Sequence, residues 1–279
     1  MGANHPEAEL PIANSPDIAQ AALVALVLLV VLWMSPIIYR YWTHRKYLVS
    51  RARPVRSRLD GVGYRVHHSH VDRQKASDKL AFLHSMIVQL IEHLDQKYQI
   101  TGTSRSANYD PEIEQMYPER CEIVRNIVDR YNPDRFVESS PKNPEGDTSY
   151  TLFKGSLVAI CLREKNPAGI GNPNTYDIHT ATILWFVTVH ELAHLGIDET
   201  GHPPEFWSCF KFLLQECEEA SLVPPGDAVI RALQDGDLSY KDRRWPGHEW
   251  PNYEARPVPY CGLLVDYNPV FDPYVITPV

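Results

Sequence analysis

Hydrophobic positions along this chain change their spacing several times, and each spacing predicts a different element. Residues 21–38 (AALVALVLLVVLWMSPII) are apolar apart from Ser35. At about 1.5 Å per residue such a run reaches the hydrocarbon thickness of a bilayer. The pattern therefore predicts a transmembrane helix over 19–42, with Trp33, Tyr39, Tyr41 and Trp42 as an interfacial belt. From Ser77, a good N-cap, to Tyr98 the apolar residues Leu80, Leu83, Ile87, Leu90, Ile91 and Leu94 recur at helical spacing. That helix leaves His84 and His93 on its polar, exposed side. A second helix is expected over Pro118–Tyr131, around Cys121, Val124, Ile127 and Val128, and is stopped by Asn132-Pro133. The period then drops to two. Ser149–Phe153 and Ser156–Leu162 read as strands around Lys154-Gly155.

Residues 180–195 (TATILWFVTVHELAHL) form an apolar run with Thr180 as a start signal and Gly196 as a stop. A buried helix is expected there. A further helix opens at Gly201-His202-Pro203-Pro204. The prolines suit its first turn, and Phe206, Phe210, Leu213, Leu214 and Cys217 make its inner stripe. Val223-Pro224-Pro225-Gly226 breaks the chain, and Asp227–Gln234 is expected to add a short helix. The polar segments 59–76, 101–119, 134–147 and 164–179 read as linkers or loops. These patterns predict an α+β fold with helices around a small antiparallel sheet, preceded by one transmembrane helix. The expected organisation is a short extracytosolic N-terminus (1–18), the span (19–42), a basic stalk (43–76), a catalytic-type domain (77–222) and a Pro/Tyr-rich wrap (223–279).

Charge sharpens this organisation. The first 58 residues carry 7 Lys/Arg and 3 Asp/Glu, which leaves 20 and 32 for the remainder, a formal −12 out of the whole chain's −8. Arg40, Arg45, Lys46, Arg51, Arg53, Arg56 and Arg58 follow the apolar run, whereas only Glu7, Glu9 and Asp17 precede it. The positive-inside rule then puts the C-terminal domain on the cytosolic side of a bilayer. The inverted charge order argues against a cleaved signal peptide. An acidic domain is a poor match to a phosphate backbone, so no nucleic-acid partner is expected. The 5 cysteines are odd in number and widely spaced, which argues against a disulfide framework and for a reducing compartment.

The candidate chemistry lies in His190-Glu191-Leu192-Ala193-His194. Helix positions i and i+4 share a face, so His190 and His194 can present two imidazoles to one metal ion. Glu191 lies between them, close enough to take a proton from a metal-activated water. Burying two histidines and a glutamate in an apolar helix is costly unless something satisfies them, and zinc would do so. His202 is the expected third ligand, with Asp198, Glu199 and Glu205 as competitors. His179 and the His67/His68/His70 group are not expected to bind metal. His248-Glu249 reads as a surface pair. Tyr240, Tyr253 and Tyr260 are candidates for stabilising an oxyanion, with nothing in the sequence to choose among them.

H-E-L-A-H, a short loop and then G-H-x-x-x-F-W resembles the minimal zincin metallopeptidases of the SprT/WLM type. The resemblance spans about residues 148–220. It implies a two-helix zinc site behind an antiparallel sheet, with His190, His194 and His202 as ligands and Glu191 as the base. It also implies a strand at the edge of the cleft that can receive a substrate peptide. Many members carry Asp directly after the third histidine; here it is Pro203. Phe210–Leu214 (FKFLL) and Tyr260-Cys261-Gly262 further resemble WLM-like proteins of large DNA viruses. The leading expectation is a membrane-anchored zinc metallopeptidase acting on a protein or peptide substrate. The alternative is a structural component, such as a membrane-linked minor capsid protein, that keeps the zincin fold without required catalysis.

Overall fold

The structure is a computed structural model that describes residues 20–21, 23–35, 52–67, 72–100, 112–139, 148–163, 178–225 and 243–279. The chain divides into two units, Met1–Ser50 and Arg51–Val279.

In the first unit a helix, α1, is described over 20–35 with position 22 excepted. No helix among the described residues is long and apolar enough to cross a membrane. This overturns the expected transmembrane helix over 19–42, and with it the single-pass placement with a cytosolic C-terminal domain. The physical reason is length: 16 positions rise about 24 Å, short of the roughly 30 Å of hydrocarbon. Tyr39, Tyr41 and Trp42 lie outside the described residues.

The second unit holds the fold. Its elements are β1 (Ala52–Arg56), β2 (Gly63–His67), α2 (Arg73–Tyr98), α3 (Glu112–Met116) and α4 (Pro118–Arg130). Then come β3 (Phe136–Glu138), β4 (Tyr150–Leu152), β5 (Leu157–Ile160), α5 (Ala181–Gly196), α6 (Pro204–Glu219), β6 (Val258–Tyr260) and β7 (Leu263–Val265). Five strands form one sheet in the order β1-β2-β3-β5-β4, and β6 and β7 form a separate hairpin. The α+β class stands, but the expected purely antiparallel sheet is mixed. β1/β2 and β4/β5 pair antiparallel, whereas β2/β3 and β3/β5 pair parallel. The parallel step from β2 to β3 needs a long crossover, which α2, α3 and α4 supply.

The largest departure concerns residues 52–67, expected to belong to a basic stalk. They form β1, a turn and β2. Tyr64, Val66 and His67 are buried there while Arg65 is exposed. The arginines mask an alternating strand pattern of period two. Helix α2 accordingly begins at Arg73 rather than after Ser77. Ser77 is no cap, because its hydroxyl donates to the Val55 carbonyl at 2.7 Å and ties helix to strand. Asp72 stands at the N-cap position but makes no cap bond; its carboxylate pairs with Arg163. His84 and His93, expected to be exposed, are both partnered, with Tyr131 Oη at 2.7 Å and Glu216 at 2.9 Å. The expected helix over Asp227–Gln234 lies outside the described residues.

The core gathers Leu80, Phe82, Leu83 and Met86 of α2, Trp185, Val189 and Leu192 of α5, and Phe206, Phe210 and Leu213 of α6. Each such large side chain contributes about 1.5–3 kcal/mol on burial, so α5 is anchored on nearly every face. The C-terminal segment wraps this core with Trp245, Trp250 and Tyr253. The expectation of no disulfide is corrected here. Cys161, just past β5, bonds to Cys261, just past β6. Cys121, Cys209 and Cys217 are free and buried.

Candidate metal centre

Helix α5 presents His190 and His194 one turn apart, with ring centroids 5.2 Å from each other. It passes through the core with 14 of its 16 residues buried, so the two rings have little freedom to leave that face. Gly201 takes a left-handed conformation (φ 79°) at the end of the α5–α6 loop. His202 follows, and Pro203 then Pro204 open α6. The three imidazoles pack against one face-forming ring, Phe206, at centroid distances of 4.8, 4.4 and 4.5 Å.

One ligand nitrogen from each of His190, His194 and His202 lies within 4.8 Å of the others. His202 Nε2 stands 3.1 Å from His190 Nε2. Two nitrogens on one tetrahedral zinc, at about 2.0–2.1 Å each, are roughly 3.3 Å apart. The separation of this pair therefore matches a shared zinc to within a few tenths of an ångström. The electrostatics fit as well. Burial, with the neighbouring imidazoles adding to it, pushes His190 down to about 3 and His194 down to about 4. Burial also lowers His202. All three are neutral near pH 7 and keep a lone pair free for a cation.

The loop between the helices is held from outside. Arg130 of α4 donates to the carbonyls of Leu195 (2.9 Å) and Ile197 (3.0 Å) and pairs with Asp198 at 2.5 Å. Asn126 donates to the Gly196 carbonyl at 2.9 Å. These side chains satisfy carbonyls that end α5 without intrahelical partners. Lys154, in the β4–β5 turn, donates to the Glu199 carbonyl. Gly196 is needed for close approach: a Cβ there would lie 2.8 Å from Cys209 Sγ and 3.0 Å from Ile123 Cγ2. Asp198, Glu199 and Glu205, the competitors for third ligand, line a different groove beside Ile276–Val279, and none joins the histidine cluster.

Glu191 is 3% exposed, and burial raises its carboxyl to about 8 against a lowering hydrogen bond from Thr151. Thr151, on β4, donates to Glu191 Oε2 at 2.8 Å and lies 3.2 Å from the Glu191 carbonyl. No sequence pattern marks Thr151. A threonine in a strand is ordinary, and the contact spans 40 positions. The C-terminal segment was equally silent: Tyr267 packs edge-on against Trp207 at 5.1 Å, and Trp207 lies 5.6 Å from His202.

The remaining candidates fall elsewhere. Tyr260 is buried, donates to the Cys161 carbonyl at 2.8 Å and meets Ser149 Oγ at 2.7 Å. Tyr253 packs on Phe186. Neither joins the histidine cluster, and Tyr240 lies outside the described residues. His179 accepts from the Cys261 amide at 3.2 Å and is pushed down to about 4 by burial, as part of the disulfide corner. His67 is buried in β2, and His68 and His70 are outside the described residues. His248 and Glu249 are exposed. A second group of possible metal donors, His93, Glu216 and Glu219, lies between α2 and α6. Lys97 Nζ already sits among them, 3.0 Å from both Glu216 oxygens and 2.6 Å from Glu219.

No known family profile matches the chain, and no solved structure does. The chain is similar to uncharacterized protein R325 of Acanthamoeba polyphaga mimivirus, 31% identical over 124 residues, which is 44% of this chain and 46% of that protein. It is also similar to uncharacterized protein 136R of Invertebrate iridescent virus 6, 35% identical over 89 residues, which is 32% of this chain and 46% of that protein. The chain thus spans about half the length of the curated relatives it matches.

Proposed function

We propose that residues 51–279 form a zinc-dependent metallopeptidase of the SprT/WLM type. The observation that carries this reading is the cluster of three neutral imidazoles beside the buried Glu191, set against an edge strand. His190, His194 and His202 would hold the ion. When bound, zinc supplies a Lewis acid that lowers the pKa of water and polarises the scissile carbonyl.

The chain's own residues account for the rest. Phe206 excludes water behind the imidazoles and fixes their faces. Glu191 takes the proton of the attacking water and delivers it to the leaving amine. β4 is the last strand of the sheet among the described residues, and a peptide main chain would pair along its outer edge. The acidic balance of the chain argues against nucleic acid as the partner.

The test is a peptidase assay of the zinc-loaded chain together with Glu191→Gln. Zinc-dependent cleavage that falls about 10²- to 10⁴-fold in the variant supports the reading. Cleavage that survives the change ends it.

A second reading is a structural member of a viral assembly in which zinc only staples the fold. It is favoured by the viral origin of both relatives and by the deep burial of Glu191. Under it, His190→Ala abolishes incorporation into particles while Glu191→Gln leaves incorporation intact.

A further inference from the structure

Strand β4 is three residues long and ends the sheet. Its middle residue, Thr151, is in register with Val158 of β5. The Thr151 side chain crosses to the first turn past His190 and meets Glu191 twice, at the carboxylate (2.8 Å) and at the main-chain carbonyl (3.2 Å). A hydroxyl has one proton, and the shorter contact, to the side-chain oxygen, takes it. Among the described residues this is the hydrogen bond that the Glu191 carboxylate makes.

The two residues differ in freedom. Glutamate has three side-chain torsions, and burial alone does not choose among its rotamers. Threonine is β-branched and stiff at χ1, so in a strand its hydroxyl points where the backbone puts it. The backbone of β4 is in turn fixed on one side. Ser149, just before the strand, holds the Cys161 amide at 2.9 Å and Tyr260 Oη at 2.7 Å. Just after β4, Phe153 and Lys154 take left-handed conformations with φ 45° and 52°, and Gly155 follows at 94°. Only glycine fits that third place, since a Cβ would lie 2.4 Å from the Arg130 carbonyl oxygen.

We propose that Thr151 is a positioning residue for Glu191, tying the aim of the base to the register of the edge strand. This rests on the metallopeptidase reading. Its consequence is that a peptide paired along β4 and the base that acts on it share one reference frame. The scissile carbonyl and the carboxylate are then aligned by the same three residues.

The experiment uses the full chain, zinc-loaded, as Thr151→Val and Thr151→Ser. Valine keeps the shape and strand preference but removes the donor; serine keeps the donor. The valine variant is expected to lose about 10- to 100-fold in kcat, as the loss of a supporting hydrogen bond at a metal site does. KM should stay within about 2-fold, with zinc content and Tm close to wild type, because threonine is not a ligand. Serine should recover most of the loss. Wild-type kcat in the valine variant, or a serine variant as impaired as valine, overturns the proposal. So does a loss that merely follows lost zinc.

A second readout is independent of turnover. With Co²⁺ in place of zinc, the visible spectrum of Thr151→Val should differ from wild type at equal cobalt content, because the freed carboxylate changes the surroundings of the ion. An unchanged spectrum overturns the role of Thr151. A wild-type chain that cleaves no peptide instead overturns the metallopeptidase reading and leaves the cobalt comparison to decide on Thr151.

Discussion

Among the described residues two places gather three potential metal ligands within 4.8 Å, and they are built on opposite principles. At the α5–α6 loop the donors are three histidines, all driven toward the neutral form by burial, with neighbouring imidazoles adding to it at His190 and His194. The nearby Lys154 charge lowers His194 further. Between α2 and α6 the donors are one histidine and two carboxylates, and Lys97 supplies the cation from within the chain. Glu216 receives His93, Lys97 and Tyr98, which together hold its carboxyl below the usual range although burial alone raises it. The second cluster is an electrostatically closed unit. The first is a donor set that lacks a charge, which a divalent cation would complete under the proposed function.

The widest separation between the two comes from removing one ligand from each. His194→Ala should abolish tight zinc binding, with affinity falling at least about 10³-fold as one of three donors disappears. Zinc stoichiometry by elemental analysis, together with the loss of a zinc-dependent rise in Tm, checks it. That rise is worth about 2.7 kcal/mol at 100 times Kd. Glu216→Ala should leave zinc at one per chain. A second equivalent of zinc in the wild type, lost on Glu216→Ala, would break the comparison.

Acidity separates the clusters next. In the metal-free protein His190 and His194 are depressed to about 3 and 4. Their contribution to stability is present above the unfolded value near 6.5 and lost as pH falls toward 4. Glu191 is raised to about 8, so its contribution is present below about 4.5 and lost as pH rises through 8. Metal-free stability should therefore peak in mildly acidic solution and decline on both sides, as chemical denaturation across pH would report. Glu216 acts only on the acid side: its lowered carboxyl stabilises above the ordinary glutamate value of 4.5 and stops doing so as pH falls. Glu191→Gln should remove the alkaline decline and leave the acid one.

A smaller effect is expected from Glu216→Ala on stability, a loss of about 3 kcal/mol, because Lys97, His93 and Tyr98 are left without their shared acceptor. The smallest is Arg130→Ala. It strips three contacts from the end of α5 and its loop and should cost about 1–2 kcal/mol, with zinc affinity about 10-fold weaker through a looser His202. Denaturant titration and competition with a chelator measure the two.

The histidine cluster was legible in the sequence because local rules build most of it. The i, i+4 spacing, the apolar run that buries α5 and the glycine and prolines that turn the chain into α6 are all readable within 30 residues. The carboxylate competitors fell away only in three dimensions, where Arg130 takes Asp198. Thr151 and the Lys97 cluster were not legible, since both join residues far apart through side chains of ordinary type. Residues 52–67 were misread for another reason. Their alternation is real, but arginine on the solvent face of an edge hairpin looks like a charged stalk when the partner strand is unknown. The apolar run at 21–38 misled in the opposite direction. Its hydropathy suited a membrane span, whereas the helix described over 20–35 is too short for one.

The Cys161–Cys261 bond joins positions 100 residues apart, and α5, the loop and α6 all lie between them. The candidate metal centre therefore sits inside a covalent ring. By chain entropy a ring of that size restricts the unfolded chain by about 5 kcal/mol. It also changes what cleavage can do. A peptide-bond cut anywhere between residues 161 and 261, by this chain or another protease, opens the ring without releasing a fragment. The nicked molecule keeps its mass plus one water, and its two pieces part only on reduction. A gel run without reductant would show one intact band where the reduced lane shows two.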